Sequence, residues 1–117
     1  MTHDDIRKFC LALPGAAVDI KWQVDEVFMV GGKMFCVMCS DHAQSEGVSF
    51  KAEPERFLEL TDQPGITPAP YQARHHWVRI ERPDVLPTEA LQDLLRTAYQ
   101  LVRAKLPKKT RDSLPAA

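Results

Sequence analysis

The stretch Val27-Phe28-Met29-Val30-Gly31-Gly32-Lys33-Met34-Phe35-Cys36-Val37-Met38-Cys39 carries the strongest structural signal in the chain. Two apolar runs rich in aromatic and β-branched residues flank a pair of glycines, and glycine supplies the positive φ angles that a tight primed turn demands. The segment reads as a β-hairpin. Side chains alternate across a strand, so Phe28, Val30, Phe35 and Val37 compete with Val27, Met29, Met34 and Met38 for one core face. If one face of the sheet is wet, some of these rings and thioethers stay exposed and mark a partner or dimer surface.

Upstream of the hairpin, Val18, Ile20 and Trp22 alternate with Asp19, Lys21 and Gln23, which predicts a half-buried strand. Before it, Thr2 and Asp5 have capping-box spacing and Met1 and Ile6 have staple spacing. Ile6, Phe9, Cys10 and Leu13 then form one apolar helical stripe that Pro14-Gly15 ends. After the hairpin come a polar loop, Asp41 to Gly47, and a strand, Gly47 to Lys51. Glu53-Pro54-Glu55 opens a helix carrying Phe57, Leu58 and Leu60. Thr61 to Pro70, with Pro64, Gly65, Pro68 and Pro70, reads as an irregular loop.

His75-His76-Trp77-Val78-Arg79-Ile80 is the next strand pattern, with His76, Val78 and Ile80 on one face and His75, Trp77 and Arg79 on the other. Arg82-Pro83-Asp84 turns the chain into a helix from about Thr88 to Lys105. Its buried stripe is Leu91, Leu94, Leu95, Ala98, Leu101 and Val102; Pro107 stops it, leaving Lys108, Lys109 and Arg111 as a basic tail. No repeat, low-complexity run or linker divides the chain, so residues 1–117 read as one domain. The expected fold class is α+β: an antiparallel sheet of about five strands with helices packed on one face.

Composition narrows the function classes. Fifteen Lys plus Arg against sixteen Asp plus Glu give a net charge of -1, so nucleic-acid binding must rest on a local patch rather than on bulk charge. A near-zero charge also removes one deterrent to self-association. No apolar run approaches the roughly 20 residues of a bilayer span, and the acidic N-terminus lacks a secretory layout. Three cysteines, an odd number, suit reduced thiols and a cytoplasmic setting.

Catalytic and metal motifs find no footing. Cys36-Val37-Met38-Cys39 is formally a C-x-x-C, but positions three apart on a strand face opposite ways, about 10 Å apart. That excludes a disulfide within a regular strand, and no second ligand pair completes a zinc set. His75 and His76 cannot clamp one ion from adjacent strand positions, and His3 and His42 lie in distant segments. Cys10 sits on the helical core stripe. The carboxylate pairs Asp4-Asp5, Asp25-Glu26 and Glu53/Glu55 read as helix-start and turn residues. No metal, cofactor or catalytic residue is expected.

The basic residues are more suggestive. Lys51, Arg74, Arg79 and Arg82 lie on or beside strands with Trp77 and Tyr71 interleaved, and Arg103, Lys105, Lys108, Lys109 and Arg111 gather near the end. Cations track phosphates and exposed rings stack on bases, whereas a plain solvated surface with Trp77 capping an apolar edge would need no ligand.

An ordered set of short motifs resembles the MmcQ/YjbR family of small bacterial proteins. It comprises Leu13-Pro14-Gly15, Val27 to Val30, Gly32 to Phe35, Ser49-Phe50-Lys51 before Pro54-Glu55, His76-Trp77-Val78, Tyr99, and Lys105-Leu106-Pro107-Lys108-Lys109. The resemblance implies a CyaY-like, that is frataxin-like, two-layer sandwich and a DNA-binding role for the sheet, with no catalytic residues. The frataxin side of that likeness implies iron on an acidic first helix, which Arg7 and Lys8 after Asp4 and Asp5 oppose. The expected function is a small non-catalytic binding module that touches DNA weakly and salt-sensitively through the outer face of the sheet. Its contacts would be Lys51, Arg74, His75, Trp77 and Arg79, with Lys108, Lys109 and Arg111 steering. The alternative is a protein-interaction or small-ligand module, self-associating in one version.

Overall fold

A computed structural model describes residues 1–22, 24–70 and 73–116. In chain order the elements are α1 His3–Ala12, β1 Ala16–Lys21, β2 Asp25–Val30, β3 Lys33–Cys39, β4 Val48–Lys51, α2 Pro54–Thr61, β5 Ile66–Pro68, β6 Trp77–Ile80, α3 Thr88–Ala104 and α4 Lys108–Ser113. Short 3-10 turns cover Ala73–His75 and Pro83–Val85. The strands form one antiparallel sheet ordered β1-β2-β3-β4-β6-β5. The helices pack on one side of it, which bears out the α+β expectation.

The hairpin forms, but its face contest is settled by a bulge. Phe28 pairs with Cys36 while Met29 pairs with Met34, leaving Phe35 as the extra residue on β3. The two neighbours Phe35 and Cys36 consequently both enter the interior, and the alternation inverts beyond them. Met38 goes inward and Val37 outward, so Phe28, Val30, Phe35, Cys36 and Met38 form the core side, whereas Val37 does not join it. Phe35 meets Tyr99 of α3 edge-on, with ring centroids 5.6 Å apart. Leu91, Leu94, Leu95, Ala98 and Val102 complete the α3 stripe over β3 and β4; Leu101 is only half-buried.

The turn glycines differ in what surrounds them. Gly31 has φ +57° and an ideal Cβ there would lie 2.5 Å from Leu106 Cδ1, whereas Gly32, at φ +78°, faces open space. Gly32→Ala should cost about 1 kcal/mol from the left-handed backbone alone. Gly31→Ala adds a clash with Leu106 and should cost about 2 kcal/mol. Parallel urea melts check this, and equal costs would remove the role given to Leu106.

Several elements depart from the expectation. β1 is an edge strand, not a half-buried one: Ile20 is 52% exposed and Trp22, just beyond it, 64%. Asp19 and Lys21 charge this edge, and the Asp19 carboxylate accepts a hydrogen bond from the Ile20 N–H at 2.8 Å, which blunts strand pairing. The proline-rich loop contains β5, an edge strand of three residues paired with β6, giving six strands among the described residues where about five were expected. The basic tail is helical as α4 and is held by half-buried Leu114. The capping box at Thr2 and Asp5 is present as expected, and its backbone and hydroxyl hydrogen bonds hold the Asp5 carboxyl below its ordinary range.

The carboxylate of Glu26 is no turn residue. It is 7% exposed on the helix side of β2 and receives the Arg7 guanidinium in a two-pronged pair, Nε to Oε1 and Nη2 to Oε2, each 2.9 Å.

Candidate functional site on the outer face of the sheet

The face away from the helices carries Val27, Val37, Ser49, Lys51, Trp77 and Arg79, because each lies at an alternate position from a core residue. Direct cross-strand pairing sets Lys51 against Trp77 and Ser49 against Arg79. Trp77 lies at the floor, 5% exposed. The expected shared face of His75, Trp77 and Arg79 is therefore corrected in two respects. His75 belongs to the 3-10 turn, and His76 turns the chain with φ +63°, so the strand starts only at Trp77. Trp77 is also covered rather than displayed, so its ring offers no open stacking platform. His76 instead meets Phe57 edge-on.

Two adjoining depressions lie on this face and at its end, and a smaller one lies near Arg79. A trough of about 460 Å³ is lined by Trp22, Asp25, Met34, Val37, Ser49, Ala69, Pro70 and Trp77. A second hollow of about 290 Å³ shares Met34 and Trp77 with it and brings in Lys33, Lys51, His75 and Lys105. These four meet there because the start of β3, the end of β4 and the approach to β6 lie at one end of the sheet, beside the C-terminal end of α3. Burial and the neighbouring Lys105 hold the Lys51 ammonium below its ordinary pKa. Its Nζ donates to the His75 carbonyl at 3.2 Å.

Of the residues anticipated from sequence, Lys51, His75 and Trp77 come together. Arg79 lies at the opposite end of the face, where its guanidinium packs on Gly47 and donates to Ser45 Oγ at 3.4 Å. Arg74 is exposed in the 3-10 turn, and Lys108, Lys109 and Arg111 are exposed on α4, beyond Pro107. Tyr71 falls outside the described residues. Lys33 and Lys105 were missed as site residues: one sits behind the hairpin glycines and the other at a helix end, and only the sheet order joins them. Arg82 and Arg103 are engaged elsewhere, the first by Glu81 and Asp84, the second by Tyr99 Oη and the Pro14 carbonyl.

Two of the three cysteines pack in the core. Cys10 and Cys36 are fully buried, and the neighbouring Cys10 thiol together with burial pushes the Cys36 pKa well up. Cys39 is half-buried on the other side of the sheet. His3 and His42, distant in sequence, stack with centroids 3.8 Å apart, which their spacing did not reveal. Burial, then His3, lowers the His42 pKa. Among the described residues no three His, Cys, Asp or Glu side chains gather in a metal-binding group, and no helix is long and apolar enough to cross a membrane.

An open antiparallel sheet with helices on one side and a lysine-ended trough on the other defines a small two-layer α+β domain. The chain belongs to the YjbR family, whose model matches residues 11–101. It is similar to the crystal structure of the Deinococcus radiodurans protein DR2400, described by the domain name DUF419. The identity is 30% and the TM-score 0.83, over 95% of this chain and 86% of that one. A structure from Pseudomonas syringae shares the fold at 19% identity and TM-score 0.72, over 87% of this chain and 99% of that one. No curated protein matches the sequence.

Proposed function

We propose that the protein is a non-catalytic cytoplasmic binding module that takes nucleic acid on the outer face of its sheet. The observation that carries this reading is the convergence of Lys33, Lys51 and Lys105 at one end of that face without a carboxylate partner among the described salt bridges. Cations converging without counter-charge favour a polyanion. Exposed Arg74, Lys108, Lys109 and Arg111 extend the positive surface outward and act by steering. Since Trp77 is covered, contact is led by phosphates and discriminates little between base sequences.

About four phosphate contacts predict weak duplex binding whose log K falls with log salt at a slope of about −3.6. Fluorescence anisotropy with labelled single- and double-stranded oligonucleotides over a salt series measures it. The double variant Lys33→Glu/Lys105→Glu should remove about 1.8 from the duplex slope. Both residues are exposed, so the fold should be kept. Flat titrations at low salt would end the nucleic-acid reading.

A further inference from the structure

The trough beside the lysines has a composition that phosphate contacts do not use. Its wall is mainly apolar, made by Trp22, Met34, Val37, Pro70 and Trp77, with Ser49 also lining it. Its volume of about 460 Å³ falls within the range usual for small-molecule sites. Both tryptophans of the chain line it. The far end carries Asp25, with Arg79 beyond it, so opposite charges offset one another there. At the near end Lys33, Lys51 and Lys105 have no carboxylate partner among the described residues.

These two halves call for one occupant with two parts. A bare inorganic anion would satisfy the lysines and leave the indole and thioether walls wet. A neutral hydrophobe would fill the trough and leave the lysines uncompensated. A flat ring suits indole and thioether walls, which favour aromatic contacts. A charged head on that ring reaches the lysines, since the two hollows share Met34 and Trp77.

We propose that this trough binds a small aromatic anion, its ring against Trp22, Met34 and Pro70 above the floor that the covered Trp77 forms, and its phosphate or carboxylate head at Lys33, Lys51 and Lys105. The site is distinct from the nucleic-acid reading in what it recognises, although it shares the lysines. A ligand seated in it would compete with phosphate contacts at the near end.

The test titrates the full chain with naphthyl phosphate and with naphthoate, read by calorimetry and by quenching of the two intrinsic tryptophans. Saturable binding of either probe supports the site, and the tighter of the two identifies the head group. Inorganic phosphate and neutral naphthol should each bind at least about tenfold more weakly than the better probe, since each lacks one half of the interaction. The exposed pair Lys33→Gln/Lys105→Gln should weaken that probe by about tenfold or more. Absence of saturable binding at millimolar probe overturns the proposal. So does naphthol matching the charged probes, or a lysine variant that binds unchanged. Oligonucleotide titrations are read separately. A chain that binds naphthyl phosphate but no oligonucleotide removes the proposed function and keeps this site, and the reverse result does the opposite.

Discussion

Trp77→Ala should lower the unfolding free energy by about 3 kcal/mol. The indole is 5% exposed, although it points to the outer face rather than into the main core. It lies directly opposite Lys51 and lines the trough together with Met34, Val37, Ser49 and Ala69. Truncation removes the transfer free energy of a large ring and the contacts of everything packed on it. The gap opens onto an existing trough that water can enter, which places the cost at the lower end of the roughly 3–5 kcal/mol usual for such changes. Urea melts of Trp77→Ala beside His75→Ala measure this. His75 is exposed, and its replacement should stay within about 0.5 kcal/mol. A cost under about 1 kcal/mol for Trp77→Ala would show the ring to be free in solution. The expected cost also means that loss of binding in Trp77→Ala would not by itself locate a ligand, which is why the binding tests use exposed lysines.

Periodicity and turn chemistry made much of the fold legible. The capping box at Thr2, the Gly31-Gly32 turn and the Leu91 to Val102 stripe are local signals, and each element formed where its signal stood. What escaped depends on partners distant in sequence. A bulge shows no pattern of its own, so nothing in Phe35-Cys36 announced that both side chains would turn inward. Alternation in Val18-Asp19-Ile20-Lys21 is identical for an inner strand and an edge strand, and only the sheet order distinguishes them. Proline hid β5, although Pro68 at the end of a three-residue edge strand obeys the rule that proline avoids central ladders. The candidate site was half legible for the same reason. Lys51, His75 and Trp77 lie on or beside strands whose pattern is plain, whereas Lys33 and Lys105 join them through tertiary packing.

Glu26 is the instance where such distant pairing has the largest energetic consequence. Its carboxylate enters the helix side of β2, between Ile20 on the edge and Met38 on β3, at a position that apolar side chains would fill. Arg7 reaches it from α1 with two parallel N–H···O bonds, and the same guanidinium holds Asp4 through Nη1 at 2.9 Å. The pair thereby fastens α1 to the sheet near its exposed edge. Arg7→Ala leaves a carboxylate desolvated by the fold with no counter-charge. Breaking a fully buried pair costs about 3–5 kcal/mol, but the Arg7 side chain is 30% exposed and water can reach part of the site. The expected loss is therefore about 2–3 kcal/mol. Replacing both partners, Arg7→Met/Glu26→Leu, removes the charge that needs compensation and should restore stability to within about 1 kcal/mol of the wild type. Urea melts of the two single variants and the double variant decide the matter. A double variant as unstable as Arg7→Ala would mean that the ion pair itself contributes the stability, and that the loss in Arg7→Ala is not the cost of an uncompensated carboxylate.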